Sequence, residues 1–310
     1  MNKHSIFLTA FVTLTSVSQG YDFKFDTYLG FINLDAHEIV YDDNKLLSQL
    51  DWSTNASPTL GTHVSAKVSP YFSFHLKGAF SANGNGELTD YDWDPSKRFG
   101  RTLSFENWTH RSIHTTELDY YFNVDLHGSY KFYNRKFNKD NLDILANFGY
   151  QRTQAEWSAV GGTYTYSVNG FRDTTGTSAN GVGINYKQIW DTIYVGATAK
   201  YKKDKSTYQI TPSIGLSDAS DRDIHVNRSL TFNERLDKES NYYLGLNAKY
   251  TYDLAKNLQF HTIYEYEKHL ENKGAIDLCT SYACYHINDD HAAGAKFSSN
   301  HFAVGLTLKN

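Results

Sequence analysis

The feature that most limits what this chain can fold into is alternation at period two, repeated along nearly its whole length. Phe72, Phe74, Leu76 and Gly78 alternate with Ser73, His75 and Lys77. Leu118, Tyr120, Phe122, Val124 and Leu126 alternate with Asp119, Tyr121, Asn123 and Asp125. The same beat runs through Leu142 to Phe148, Tyr208 to Leu216, Tyr242 to Tyr250, Leu258 to Tyr266 and Phe302 to Leu308. Successive side chains of an extended strand point to opposite faces, so each segment has one apolar, aromatic wall. The other wall carries Lys, His, Asp, Asn and Gln. The expected class is all-β.

A soluble sandwich alternates as well. Three details favour a closed membrane barrel. Seams near 69–70, 133–140, 202–206 and 254–257 are short, whereas 86–114, 222–238 and 273–290 are long and polar. Outer-membrane barrels combine short periplasmic turns with long external loops in this way. Tyr and Phe gather towards strand ends, as an aromatic girdle requires, and the charges keep to one wall. The strands are expected over 21–39, 47–68, 71–85, 115–132, 141–166, 175–201, 207–221, 239–253, 258–272 and 291–309. That is a ten-stranded antiparallel transmembrane β-barrel with long extracellular loops and both termini on the periplasmic side. Several strands exceed the ten or so residues needed to cross lipid, so the barrel should stand well above the membrane.

Composition narrows the alternatives. Thirty Lys and Arg against 34 Asp and Glu give a net charge of -4, with no basic footprint for nucleic acid. Aromatic content of 15% excludes a disordered chain. A mean hydropathy of -0.55 excludes a bundle of membrane helices but not a barrel, whose polar lumen dilutes the apolar wall. Residues 1–20 read as a signal peptide: Lys3 supplies the charged start, Ile6 to Leu14 an apolar stretch too short to span, and Ser16 and Ser18 small residues suited to cleavage. The remainder, 21–310, is expected to form a single barrel domain. Export makes a disulfide between Cys279 and Cys284 the expectation, with two free thiols as the alternative. Two Cys provide no structural zinc motif.

Candidate chemistry lies where strands meet external loops. Asp90 and Asp92 share a face, as do Asp221, Asp223 and His225. Two carboxylates opposite an Asp and a His can hold a water for attack on a carbonyl, His225 taking its proton and Asp223 orienting the imidazole. Solvated loop carboxylates, or a weak calcium site, fit the spacing too. Calcium lacks the Gly turn and distal Glu of an EF-hand. No Gly-x-Ser-x-Gly elbow is present.

At these residues the chain resembles the omptins, outer-membrane aspartyl proteases of Gram-negative bacteria. The landmarks include Ser48-Gln49-Leu50-Asp51-Trp52, Asp90-Tyr91-Asp92-Trp93, Trp108-Thr109, Gly149-Tyr150-Gln151 and Tyr186-Lys187-Gln188. Gly161-Gly162-Thr163-Tyr164, Gly170-Phe171-Arg172-Asp173, Asp221-Arg222-Asp223-Ile224-His225 and Asn241-Tyr242-Tyr243 complete them. The resemblance implies a ten-stranded barrel with an external active-site groove. It implies Asp90 and Asp92 as water-positioning residues and Asp223 with His225 as the catalytic dyad. It further implies cleavage of polypeptides beside Arg or Lys, with Glu38 and Asp221 holding the basic side chain before the cut.

The resemblance also implies lipopolysaccharide as a requirement for activity, with no other cofactor and no metal. Tyr150 and Lys238 match lipid-contacting positions. His110 stands where members often carry an acid that meets the residue after the cut. Arg152, Gln154 and Ile189 depart from the pattern of an acid and two arginines beside Tyr150, and Asn310 replaces a terminal aromatic. The expected partners are basic polypeptides, the outer membrane and lipopolysaccharide, not nucleic acid, and the barrel is expected to be a monomer. The competing reading is a non-catalytic surface barrel acting in adhesion or invasion. A small porin is disfavoured because ten strands enclose a narrow, filled lumen. Trp93, Trp108, Arg172 and Asp173 read as loop packing, with Arg172 and Asp173 as a pair; His75, His127 and His261 read as lumen filling.

Overall fold

The computed structural model describes residues 22–287 and 289–309, the side chains of Glu239 and Ser240 excepted. The expected signal peptide lies outside the described residues. Strands β1 (Asp22–Asp42), β2 (Lys45–Lys67), β3 (Phe72–Ser81), β4 (Gly84–Asp92) and β5 (His110–Phe137) come first. Then follow β6 (Asp140–Tyr166), β7 (Thr174–Thr177), β8 (Val182–Lys203), β9 (Ser206–His225) and β10 (Leu230–Ala255). β11 (Leu258–Cys279), β12 (Cys284–His286) and β13 (Ala293–Lys309) end the chain. The ladder pairs are antiparallel, and β13 returns to β1, closing one sheet on itself.

The strand count of ten needs correction, since thirteen are described. β3 and β4 lie end to end between β2 and β5, while β7 and β12 are short hairpin additions to β6 and β11. Ten positions around the ring remain. The connections are also shorter than their polarity suggested. β4 continues to Asp92, β9 to His225 and β11 to Cys279, which leaves 93–109 and 226–229 outside the strands, while beyond Cys279 the chain pairs back on β11 as β12. Above the membrane both walls of a strand can be polar, and backbone hydrogen bonds do not depend on side-chain polarity. Hydrophilicity therefore marks the end of the lipid belt, not the end of the ladder. The short lower turns sit where expected; at the opposite end Asp43 and Asn44, both with positive φ, make a two-residue hairpin.

The outer wall shows the apolar belt: Leu29, Phe31, Phe74, Leu76, Leu126, Ile193, Val195, Phe302 and Val304 are all exposed. A band of that size facing outward fits lipid and not water. The inner wall changes character with height. On β1 the buried inward residues run Asp26, Tyr28, Ile32, Leu34, Ala36 and Glu38. Level with the belt, the lumen is a polar network in which Lys77 pairs with Glu265 and Lys249 with Asp26. His63 and His75 bond at 3.0 Å, His127 reaches Asp125 at 2.5 Å and His261 reaches Thr307 at 3.0 Å. Those contacts agree with the lumen-filling reading of the three histidines.

Higher up the lumen is closed by an apolar plug that strand alternation did not anticipate. Leu34, Trp52, Leu88, Leu118, Trp157, Tyr186, Trp190 and Phe297 pack there, each nearly or fully buried. Trp52 stacks on Tyr186 at 5.2 Å between ring centroids, and Trp157 Nε1 donates to Thr54 Oγ1 at 2.8 Å. This plug is the floor on which the candidate site stands.

Trp93 and Trp108 pack the loops as expected, while Arg172 and Asp173 are structural in a different way from the expected pair. Trp93 Nε1 donates to Ser104 O at 2.9 Å. Arg172 lies 3.4 Å over the Trp108 ring and donates to the carbonyls of Trp108 and Glu106. Asp173 accepts the backbone N–H groups of Val168 and Asn169 at 2.9 and 3.1 Å. Arg172 and Asp173 therefore do not pair with each other; each ties a different piece of loop backbone.

Candidate active site

Three inward-facing strand ends deliver carboxylates to the space above the plug. On β4, Asp90 and Asp92 continue the inward row of Leu88. On β9, Asp221, Asp223 and His225 continue the row of Ser217 and Ala219. On β1, Glu38 continues the row of Leu34 and Ala36. All five acids were expected in or beside loops. The ladder instead holds them on strands, a firmer support for chemistry than a loop tip.

Asp223 Oδ2 lies 2.6 Å from His225 Nε2, with Asp223 1% exposed and His225 16% exposed at the side chain. Asp90 pairs with Ser112 in the ladder, and Asp92 with Ser48 and His110. The two walls meet electrostatically. Burial raises the Asp90 carboxyl well above the usual carboxylate range, and the charges of Asp92 and Asp223 add to the rise. Asp92 is raised by burial too, against a Ser48 hydrogen bond and the nearby His110, Arg228 and His225 charges. Asp223 is raised by burial and pulled back by His225. Such a crowd of desolvated carboxyls favours neutral forms until a cation or a proton acceptor arrives.

Beside the dyad, burial pushes Asp221 up to about 7 while Tyr186 Oη donates to its Oδ2 at 3.0 Å. Glu38 is raised well above its ordinary value by burial, then by Asp223, Asp221 and Asp90. Sequence reasoning missed a sixth acid. Glu234 on β10 pairs with Asp221 in the ladder and is 1% exposed. Its carboxyl is raised by burial and by the Asp221 and Glu38 charges. Below, Tyr242 and Leu244 face outward on β10, and that even-numbered phase carried upward would turn Glu234 to solvent. Leu236 pairs with Ala219 and Asn241 with Ser217, so five steps on β10 span two on β9. The odd excess flips the phase and turns Glu234 inward. Arg228, in the 3-10 turn Val226–Arg228, was missed as well; its charge reaches Asp90, Asp92 and Asp223.

The remaining expected residues fall in three places. His110 sits at the cleft wall, its ring edge-on to Tyr166 at 5.0 Å and Nδ1 3.1 Å from Thr109 Oγ1. Tyr150 is on the outer wall, where its hydroxyl donates to Asp191, and Arg152 lies 3.4 Å from the same carboxylate. Lys238 is 3.3 Å from Asp290. Cys279 and Cys284 are disulfide-bonded across the β11–β12 hairpin.

A closed barrel with an apolar belt and an acidic cleft at one rim defines a membrane β-barrel with the make-up of a hydrolytic site. Residues 19–309 match the family model described as the Omptin family. The plasminogen activator of Yersinia pestis is 27% identical over 289 residues, covering 91% of this chain and 84% of that protein. Outer membrane protease OmpP of Escherichia coli strain K12 is 32% identical over 230 residues, covering 72% of this chain and 70% of that protein. The crystal structure of outer membrane protease OmpT from Escherichia coli superimposes with a TM-score of 0.81 at 25% identity, covering 93% and 97% of the two chains. The chain belongs to the omptin family: it is an outer-membrane β-barrel of Gram-negative type, in the protease class to which these relatives belong by name.

Proposed function

We propose that the chain is an endopeptidase that hydrolyses exposed polypeptides after Arg or Lys, using water activated by an Asp-His pair. The observation that carries this reading is the 2.6 Å contact of Asp223 with His225, facing Asp90 and Asp92 above a dry floor. Asp223, as acceptor, holds the imidazole proton on Nε2 and leaves Nδ1 with its lone pair. A water held among Asp90, Asp92 and His225 attacks the peptide carbonyl, and Nδ1 takes its proton. The imidazolium then protonates the leaving amine. Between Asp90 and Asp92 one proton is retained, and the neutral carboxyl donates to the carbonyl oxygen as negative charge develops there. Glu38 and Asp221 receive the basic side chain, and His110 lines the path of the residue after the cut.

Lipopolysaccharide acts at the outer wall through Tyr150 and Lys238 in this reading. Each already has an acid partner, Asp191 and Asp290, so the lipid must displace an internal contact. The test is hydrolysis of Arg-Arg and Arg-Ala peptides by refolded protein, with and without lipopolysaccharide. Wild type is expected to cut both after the first Arg, and His225→Ala to cut neither. Equal inertness of folded wild type and variant under both conditions overturns the proposal, and host-surface binding without cleavage would favour adhesion.

A further inference from the structure

We propose that Glu234 is a specificity-determining residue: a third carboxylate beside Glu38 and Asp221 that makes the basic-side-chain pocket select arginine over lysine. The inference rests on the peptidase reading above and sharpens its substrate class.

Glu234 is buried as deeply as any acid in the cleft, yet no N–H or hydroxyl donor reaches either of its carboxylate oxygens. Its one polar neighbour among the described residues is another acid, Asp221, with which it shares a carboxyl hydrogen bond. No N–H or hydroxyl donor reaches Glu38 Oε2 or Asp221 Oδ1 either. Asp221 is oriented by Tyr186 Oη on its other oxygen, and Tyr186 is in turn fixed by Gln188 Nε2 at 2.6 Å. Among the described residues no Lys or Arg is within ion-pair distance of Glu38, Asp221 or Glu234. Four buried acceptor atoms thus gather in one space with no N–H or hydroxyl donor, and in the empty pocket only a proton kept on Glu234 and shared with Asp221 offsets them. Buried acceptors left in this state are costly, and a ligand that satisfies them recovers that cost.

The donor count separates the two basic side chains. A lysine ammonium carries three N–H groups on one atom and cannot serve four acceptors on three strands. A guanidinium carries five in a planar fork, enough for all four. With Glu38 and Asp221 alone the pocket offers two of these acceptors, which an ammonium also satisfies. Glu234 supplies the other two, and with them the distinction. Its side chain lies on β10 opposite Asp221, whereas Phe232, two positions back, pairs with Asp223. Glu234 therefore feels the charge of Asp223 but stands opposite the cation pocket, and its contribution falls on binding.

The experiment compares wild type and Glu234→Gln on two peptides identical except for Arg or Lys before the scissile bond. Glu234→Gln keeps the volume and removes the charge and one acceptor; heat-modifiable electrophoretic mobility reports whether the barrel is folded. Steady-state kinetics give kcat and KM, and fluorescence anisotropy gives binding of the same peptides in a His225→Ala background. Wild type is expected to favour Arg. The variant should lose at least about tenfold of that preference through KM, with kcat for either peptide within about threefold of wild type. An unchanged Arg-to-Lys ratio in a folded variant, or equal losses on both peptides, overturns the proposal. Selective Arg binding that depends on Glu234, with no cleavage by wild type, would sustain it while sinking the peptidase reading. Cleavage with a ratio indifferent to Glu234 would do the reverse.

Discussion

His225 Nε2 meets Asp223 Oδ2 at 2.6 Å along one face of β9, two residues apart, so a single strand carries both members of the dyad. Asp223→Asn would present an amide at the same place, and the amide N–H opposes the Nε2 proton. The imidazole is then driven to the wrong tautomer. We expect kcat to fall by about 10³-fold or more with KM nearly unchanged, read on an Arg-containing peptide. Retention of more than a tenth of the wild-type kcat would remove Asp223 from the mechanism.

The cation pocket should show its own pH dependence. Asp221 is pushed up to about 7, and Glu38 and Glu234 are raised in the same direction. Binding a basic side chain favours the ionised forms. KM for an Arg peptide should therefore fall as pH rises towards 7, by up to about tenfold per unit for one proton released. The sign for stability is opposite. Between the ordinary carboxylate range and about 7 the folded state binds more protons than the unfolded state, so empty-barrel stability declines as pH rises through that window. Thermal melts across pH 4 to 8 with and without an Arg peptide would show both trends, and a KM indifferent to pH contradicts the first.

Trp157 is fully buried in the plug and bonds Thr54. Trp157→Ala should cost about 3–5 kcal/mol, measured by denaturant titration of the refolded barrel. Water entering the cavity would also lessen desolvation of the acids above it. The pH at which KM improves should then move downward, a change that loss of stability alone does not produce.

Replacing Cys279 and Cys284 with Ser removes a clasp between residues five apart in sequence. Chain-entropy reasoning puts its contribution near ~2 kcal/mol for so short a loop. We expect faster proteolysis at the β11–β12 hairpin, while kcat/KM stays within about threefold. A large loss of activity would mean that the hairpin shapes the cleft.

Asp191 holds the Tyr150 hydroxyl and faces Arg152. Asp191→Asn should release an anionic competitor from the outer wall and lower the lipopolysaccharide concentration giving half-maximal activity by several-fold. No change would separate Tyr150 from the lipid requirement.

Much of the barrel was legible because alternation is a local property. Leu29 and Phe31 face lipid, and Asp26 and Tyr28 face inward, since neighbouring residues of any strand point opposite ways. Asp90 with Asp92, and Asp223 with His225, share faces for the same reason. The plug was not legible, because an inward Trp157 and an outward Phe148 look alike until the wall they stand on is known.

By itself, then, the sequence determined which residues sit together on one strand: the period, the short lower turns, the acidic pairs and the dyad. The tertiary structure decided what lies across from what and how dry it is. Asp90 meets Asp223 because the sheet closes, and their carboxyls are raised because Leu88, Trp52 and Tyr186 keep water from beneath them. Glu234 turns inward because of extra residues in β10 whose effect exists only against the register of β9. Side-chain direction propagates along a strand, whereas register and burial are set between strands, and no single stretch of chain contains them.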